Sequence, residues 1–326
     1  MSQSRRIAAG AIVAASMLVA APPAFADSYP SRHVRIITGG AGTFHDIVAR
    51  SLAQRLSERW GQSVLVENQP AAGLTVGTSI AANAAPDGHT LLLADRTSLA
   101  AAPSLYKSLR YDPMKDLRPI TLVARAPAIL ATHPSLPARN LREFIDFARR
   151  QPEPILFASA GHGTMTHLAG ELFGQLTAVK VLAVHYKGGG ELAMAVLRGE
   201  TKFSLPSVPN VLPHIHDGKL KAFAVTSAKR FSGAPDIPTA AEAGLPGLET
   251  EQWVGMMAPA GTPDAIVEKV NRDIVDILRT PAFQDLLRVQ GSEVDRQTTP
   301  AEFASFMASE TTRLRKLIET VGLRMD

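Results

Sequence analysis

Two short runs carry the residues best suited to hold an anion. Thr38-Gly39-Gly40-Ala41-Gly42-Thr43-Phe44-His45-Asp46 follows the apolar segment Val34 to Ile37 and opens into a helical pattern from Ile47 to Trp60. Ser159-Ala160-Gly161-His162-Gly163-Thr164 follows Ile155 to Ala158 and opens into a second helical pattern from Met165 to Leu176. A glycine-rich turn at a helix start bares backbone N–H groups at the positive end of the helix dipole, which favours a carboxylate or phosphate. The second turn adds hydroxyls from Ser159, Thr164 and Thr166. Taken singly, either turn also reads as a tight capped connection. It is the pair that argues for two lobes facing one anionic ligand. Neither run has the spacing and lysine of a P-loop, and no acidic residue about 20 positions on completes a dinucleotide fingerprint. Asp46 reads as a stabiliser of its helix start that bonds loop amides.

A third candidate is Asp95-Arg96-Thr97-Ser98, placed after the apolar strand Thr90 to Ala94, where α/β ligand sites gather. Arg96 could bond a ligand carboxylate in bidentate fashion, or equally pair with an acidic neighbour. The nine histidines offer no metal-binding spacing. His162 and His167 are not an i, i+4 pair, His214 and His216 lack a third ligand nearby in sequence, and most of these rings read as structural or solvated. No nucleophile elbow of the G-x-S-x-G type occurs, no cofactor motif is found, and the chain has no cysteine, which excludes thiolate chemistry and disulfides.

These residues need a frame of alternating strands and helices. Such alternation runs almost from end to end and predicts an α/β protein whose sheets are mostly parallel and flanked by helices. Val48, Leu52, Leu56 and Trp60 recur on one helix face, and Ile266, Val270, Ile274 and Ile277 on another. Shorter units are expected at 64–67, 76–85, 181–185, 191–198, 220–226 and 239–243. An apolar run at 122–133 opens another unit, and a strand is expected at 252–258. Asn140 with Glu143, and Thr299-Pro300-Ala301-Glu302, look like capping boxes, and Gly322 looks like the stop of the last helix.

Residues 1–26 read as a secretory signal: Arg5 and Arg6 precede an apolar stretch from Ile7 to Ala21, and Ala24-Phe25-Ala26 supplies the cleavage pattern. Cleavage removes two arginines and no acid, so the net charge falls from +4 to +2. That is too small to argue for nucleic acid. The form of the signal together with the absence of cysteine points to the periplasm. The remaining chain suffices for two domains, with crossings expected near 123–131 and 250–259, hence one lobe from 27–127 with 252–326 and a second from 128–251.

Many ordered phrases of the mature chain resemble one family. They include Trp60-Gly61-Gln62, Pro86-Asp87-Gly88-His89-Thr90, Tyr111-Asp112-Pro113, His167-Leu168-Ala169-Gly170-Glu171-Leu172, His185-Tyr186-Lys187-Gly188, Pro238-Thr239-Ala240-Ala241-Glu242-Ala243-Gly244 and Trp253-Val254-Gly255. The family is the Bug receptors, the extracytoplasmic receptors of tripartite tricarboxylate transporters. The likeness implies a two-lobed clamshell of the periplasmic-binding-protein kind (type II-like). A ligand carboxylate would be held between backbone amides and small hydroxyls, with Gly42, Thr43 and Phe44 in one wall and Ser159, Gly161, Gly163 and Thr164 in the other.

The chain departs from the family pattern in three places. Thr38 to Gly42 replaces a proline-rich approach, Phe44 and His45 replace small residues, and Pro206-Ser207 stands where an Asp-Asn pair is common. Arg96, with Thr97 beside it, replaces small neutral residues and is expected to meet a second acidic group of a ligand on which Phe44 stacks. The expected partners are a small organic carboxylate and a two-component membrane permease or a sensor kinase, with a monomeric receptor and no catalysis. A periplasmic hydrolase of acidic substrates is the reading from another class.

Overall fold

The computed structural model describes residues 29–69, 74–186, 189–294 and 298–323. The expected signal segment lies outside these. No helix among the described residues is long and apolar enough to cross a membrane.

Two five-stranded sheets form the frame. The first is built from β1 (Val34–Thr38), β2 (Val64–Asn68), β3 (Thr90–Asp95), β4 (Leu117–Pro127) and β10 (Glu251–Pro259), in the order β2-β1-β3-β10-β4. The second uses β5 (Ile129–Thr132), β6 (Ile155–Ser159), β7 (Val181–His185), β8 (Phe203–Ser204) and β9 (Lys221–Val225), in the order β7-β6-β8-β5-β9. β1 is parallel to β2 and β3, and β6 to β7 and β8. Only β10 and β5 run against their neighbours on both sides. Each is the strand by which the chain arrives from the other sheet, so in each sheet four strands share one direction while half of the pairings are antiparallel, a more mixed sheet than expected.

The strands read as continuous apolar runs because both faces of each sheet are covered. On one face of the first sheet, Ile36, Leu91 and Leu93 pack with α1 (Phe44–Trp60), α8 (Asp264–Leu278) and α9 (Pro281–Val289). On the other, Ile37, Leu92 and Ala94 meet α10 (Pro300–Val321) and α2 (Thr75–Ala82). In the second sheet Phe157 and Phe203 face α4 (Leu141–Arg149) and α5 (Met165–Thr177), while Ile129 and Ala131 face α6 (Gly189–Leu197). Helix α5 lies so close to β6 that a Cβ on Gly170 would come within 2.1 Å of the Phe157 ring. This approach fixes where α5 begins, and Leu168 and Leu172 carry its far side onto the core of the first lobe around Phe303 and Met307.

Several elements differ from expectation. The apolar run at 122–133 is split between the two sheets. Pro127 lacks the N–H that would continue the ladder, and Ala128 N–H donates instead to Thr226 Oγ1 at 2.9 Å. Asn140 caps α4 by accepting from Glu143 N–H at 2.9 Å, but the Glu143 carboxylate turns to Arg139 N–H at 2.9 Å, so the reciprocal half of the box is not made. At Thr299 both halves are present, and Gly322 ends α10 in the left-handed region. Residues 239–243 form a single turn, closed by Gly244 with φ 90°. The helix α9 has no counterpart in the sequence reading, because only Phe283 and Leu287 of its nine residues are buried and the periodic signal is short.

Candidate functional site

The two glycine turns fold as near copies. In the first, Thr43 is the N-cap of α1. Its hydroxyl donates to Gly40 C=O at 2.7 Å and accepts from Asp46 N–H at 3.5 Å, while Gly42 N–H donates to Asp46 Oδ2 at 2.9 Å. In the second, Thr164 caps α5. Its hydroxyl donates to Gly161 C=O at 2.7 Å and accepts from His167 N–H at 3.4 Å, while Gly163 N–H donates to His167 Nδ1 at 3.1 Å. Gly42 and Gly163 have φ of 74° and 69°, a left-handed backbone that a side chain at these turns would strain. The amides of Phe44 and His45, and of Met165 and Thr166, lie in first helical turns and have no intrahelical carbonyl to bond.

Both turns border one cleft of about 710 Å³. Gly42, Thr43, Phe44, His45 and Thr97 line it from the first lobe. Ala160, Thr164, Met165, Thr166, Leu192, Pro206, Ser207, Pro209 and Asn210 line it from the second. Ala126, Gln252, Gln290 and Ser292 close the side near the crossings. No Lys, Arg, Asp or Glu is among these residues, and His45 is the one titratable side chain. The lining is thus a set of hydroxyls, amides and apolar surface, able to hold an anion through neutral donors.

The cleft takes in Gly42, Thr43, Phe44, His45, Thr97, Thr164, Thr166, Pro206 and Ser207 among the residues singled out from sequence. Gly161 and Gly163 shape the turn behind it. Ser159 is fully buried and spends its hydroxyl on Gly161. Ser207 Oγ accepts from Asn210 Nδ2 at 2.9 Å. His45 Nε2 lies 3.3 Å from Asp95 Oδ2, and Asp95 also accepts from Gln252 Nε2 at 2.9 Å. Burial works against the charge on Asp95, yet His45 and the Ser98 amide and hydroxyl outweigh it and hold the carboxyl below its usual range.

Arg96 is the correction. It is 2 % exposed and points away from the cleft, into α10, with Nε 3.5 Å from Glu310 Oε2. Burial pushes its pKa down to about 10 against the pull of Glu310. Glu310 also accepts from Trp253 Nε1 at 3.2 Å and Arg313 Nε at 2.8 Å. Arg96 therefore braces β3 against α10 and β10, and only its neighbour Thr97 reaches the cleft. The geometry offers no guanidinium for a second acidic group of a ligand.

Several lining residues had no signal in the motifs. Gln252 and Ala126 sit in the crossing strands β10 and β4, so the expected crossings were the available hint. Gln290 and Ser292 follow α9, which the sequence reading lacks. The histidines behave differently from their spacing. His185, at the end of β7 and in register with Ser159, brings a third imidazole to His162 and His167. The ring centroids of His162 and His185 are 4.0 Å apart, and those of His167 and His185 5.0 Å. Burial, then the neighbouring rings of His185 and His162, hold His167 down to about 4.

Residues 48–323 match the profile of the TctC family, described as the tripartite tricarboxylate transporter family receptor. Protein BugT of Bordetella pertussis is 34 % identical over 327 aligned residues, covering 100 % of both chains. Among solved structures, R. palustris Rpa4515 with adipate is 31 % identical with a TM-score of 0.78, covering 91 % of this chain and 100 % of that one. MatC of Rhodopseudomonas palustris with bound malate is 31 % identical with a TM-score of 0.74, covering 89 % and 100 %. A matched profile over most of the chain, a full-length relative and the same two-lobed fold lead to one conclusion: the chain belongs to the TctC family of Bug-type solute-binding receptors.

Proposed function

We propose that this protein is a periplasmic receptor that captures a small organic carboxylate between its lobes and delivers it to a two-component membrane permease or a sensor. The observation that carries the reading is the pair of capped turns, Gly42–Asp46 and Gly163–His167, bordering one cleft with first-turn amides on each side. Adipate and malate in the two relatives above are both carboxylates of a size such a cleft would admit. The site residues proposed are Gly42, Thr43, Phe44, His45 and Thr97 on one wall and Thr164, Met165, Thr166 and Ser207 on the other. The lobe bounds proposed are 27–127 with 252–326, and 128–251. Transport energy would come from the permease.

In this mechanism the amides of Phe44 and His45, aimed by the Thr43 cap, meet a carboxylate from one side. The amides of Met165 and Thr166, aimed by the Thr164 cap, meet it, or a second polar group, from the other. Closure about the strands β4 and β10 then expels water, and each charge-assisted hydrogen bond gains strength in the drier site. A hydrolase would need a hydroxyl hydrogen-bonded to a base. His45 is set against Asp95, but among the described residues neither of its ring nitrogens bonds a hydroxyl.

The test is a thermal-shift panel of mono-, di- and tricarboxylates, aliphatic and aromatic, on protein stripped of ligand by unfolding and refolding. A ligand at 100 times its Kd should add about 2.7 kcal/mol. A selective rise with the acid recovered intact supports the receptor, and Thr164→Val should weaken that acid about tenfold, because the cap that aims the Met165 and Thr166 amides loses its bonds to Gly161 C=O and His167 N–H. No rise across the panel would reject the carboxylate class, and consumption of the acid would favour the hydrolase.

A further inference from the structure

We propose that His162, His167 and His185 form a binding site for a divalent transition-metal ion of the zinc, nickel or copper class, set behind the second wall of the cleft. One ring nitrogen from each residue lies within 4.8 Å of the others. The three come from different elements: the β6–α5 turn, the first turn of α5 and the last residue of β7. The parallel register that sets Ser159 beside His185, with Tyr186 N–H donating to Ser159 C=O at 2.8 Å, fixes two of these elements relative to each other.

The chemistry of each ring suits a ligand. His167 is buried, its Nε2 lies 3.7 Å from Glu171 Oε1, and its Nδ1 accepts from Gly163 N–H. That pattern places the ring proton on Nε2, toward the carboxylate, and leaves the Nδ1 lone pair on the side of the turn. Metal-bound histidines commonly direct the outer N–H to a carboxylate, and Glu171 stands on that side of the ring, 3.7 Å away and beyond direct hydrogen-bond distance. His162 and His185 are exposed, and no hydrogen bond to either ring occurs among the described residues. Both can rotate to shorten the nitrogen separations to the roughly 3.3 Å that tetrahedral bonds of about 2.0 Å require. An apolar packing role explains His167, which stacks on Phe157 at 6.3 Å. It does not explain why two exposed imidazoles converge on it.

Three imidazoles with a carboxylate behind one of them select borderline metals over calcium or magnesium, which prefer oxygen. An ion on His167 Nδ1 displaces the Gly163 N–H and so acts on the turn that ends at Thr164 in the cleft wall. The site does not depend on the carboxylate reading.

Tag-free protein, dialysed against EDTA and then into chelator-free buffer at neutral pH, should bind one equivalent of zinc chloride in a calorimetric titration. Magnesium chloride should give no heat of binding. The His162→Ala, His185→Ala double variant keeps His167 in its structural place. It should melt like the parent yet bind zinc at least about 30-fold more weakly, and Glu171→Gln alone should weaken it about tenfold. Absence of zinc uptake by the parent up to millimolar ion, or equal uptake by a double variant of unchanged melting temperature, would overturn the proposal. Should the double variant melt lower, His185→Gln provides the same comparison with a smaller change.

Discussion

The two walls of the cleft use one backbone device and brace it in different ways. Each has a threonine N-cap, a left-handed glycine before it, and an acceptor three residues on that receives the glycine N–H. In the first wall that acceptor is Asp46, which also accepts from Asn68 Nδ2 at 2.8 Å and pairs with Arg50 Nε at 2.9 Å. Burial disfavours its charge, but Arg50, the Gly42 amide and Asn68 outweigh it and hold the carboxyl below its usual range. In the second wall the acceptor is His167, a neutral ring backed by Phe157 and two other imidazoles. The helix start requires only a lone pair at that position. Whether the group carrying it is charged is left to the surroundings, so the first wall is held by ion pairs and the second by hydroxyls and a ring.

Breaking the charged bracing should have the largest effect. Glu310→Ala leaves the buried Arg96 guanidinium without its carboxylate and Trp253 Nε1 without an acceptor. A loss of about 3–5 kcal/mol in urea unfolding is expected. Asp46→Ala leaves the Gly42 amide without its acceptor and Arg50 without its ion pair, while Asn68 keeps its bonds to Gly39 C=O and Arg50, and should cost about 2–3 kcal/mol. His167→Ala loses one hydrogen bond and leaves a gap beside Phe157, for about 2 kcal/mol, and His167→Asp should recover part of that by restoring an acceptor for Gly163.

The smallest effect sharpens the comparison through pH, with a chelator present. His167 is held at about 4 against an ordinary value of 6.5, so the unfolded chain takes up a proton that the folded chain refuses. Its contribution is complete above pH 6.5 and declines by at most about 1.4 kcal/mol per pH unit toward pH 4. Asp46 has the same sign of linkage in a lower window: its carboxyl is also held below its usual range, so its contribution is present above the usual carboxylate pKa and is lost only as pH falls below it. Urea midpoints from pH 7 to 4 should therefore fall more steeply for the parent than for His167→Asp.

Much of the frame was legible because it rests on local signals. The strand-turn-helix grammar of both turns, the Thr299 capping box and the buried stripe of α8 all come from residues close in the chain, and each formed within a few positions of its expected bounds. The failures arise where distant partners decide. Arg96 looks like a ligand-binding arginine beside Thr97, and nothing nearby in sequence announces Glu310. His162 and His167 looked unremarkable until β-pairing set His185 beside Ser159. The apolar run at 122–133 suggests a crossing near 123–131 but does not mark the residue at which β4 ends and β5 begins.

The sequence by itself determined the α/β alternation, the two helix-start turns and the family, since these depend on periodicity, capping and ordered phrases along the chain. Only the tertiary structure decided which side chains reach the cleft, that Arg96 turns inward while Thr97 turns out, and that three histidines from separate elements converge. The physical reason is that burial and charge pairing are set by contacts between segments far apart in the chain, and a one-dimensional pattern does not encode which of its polar residues will find each other.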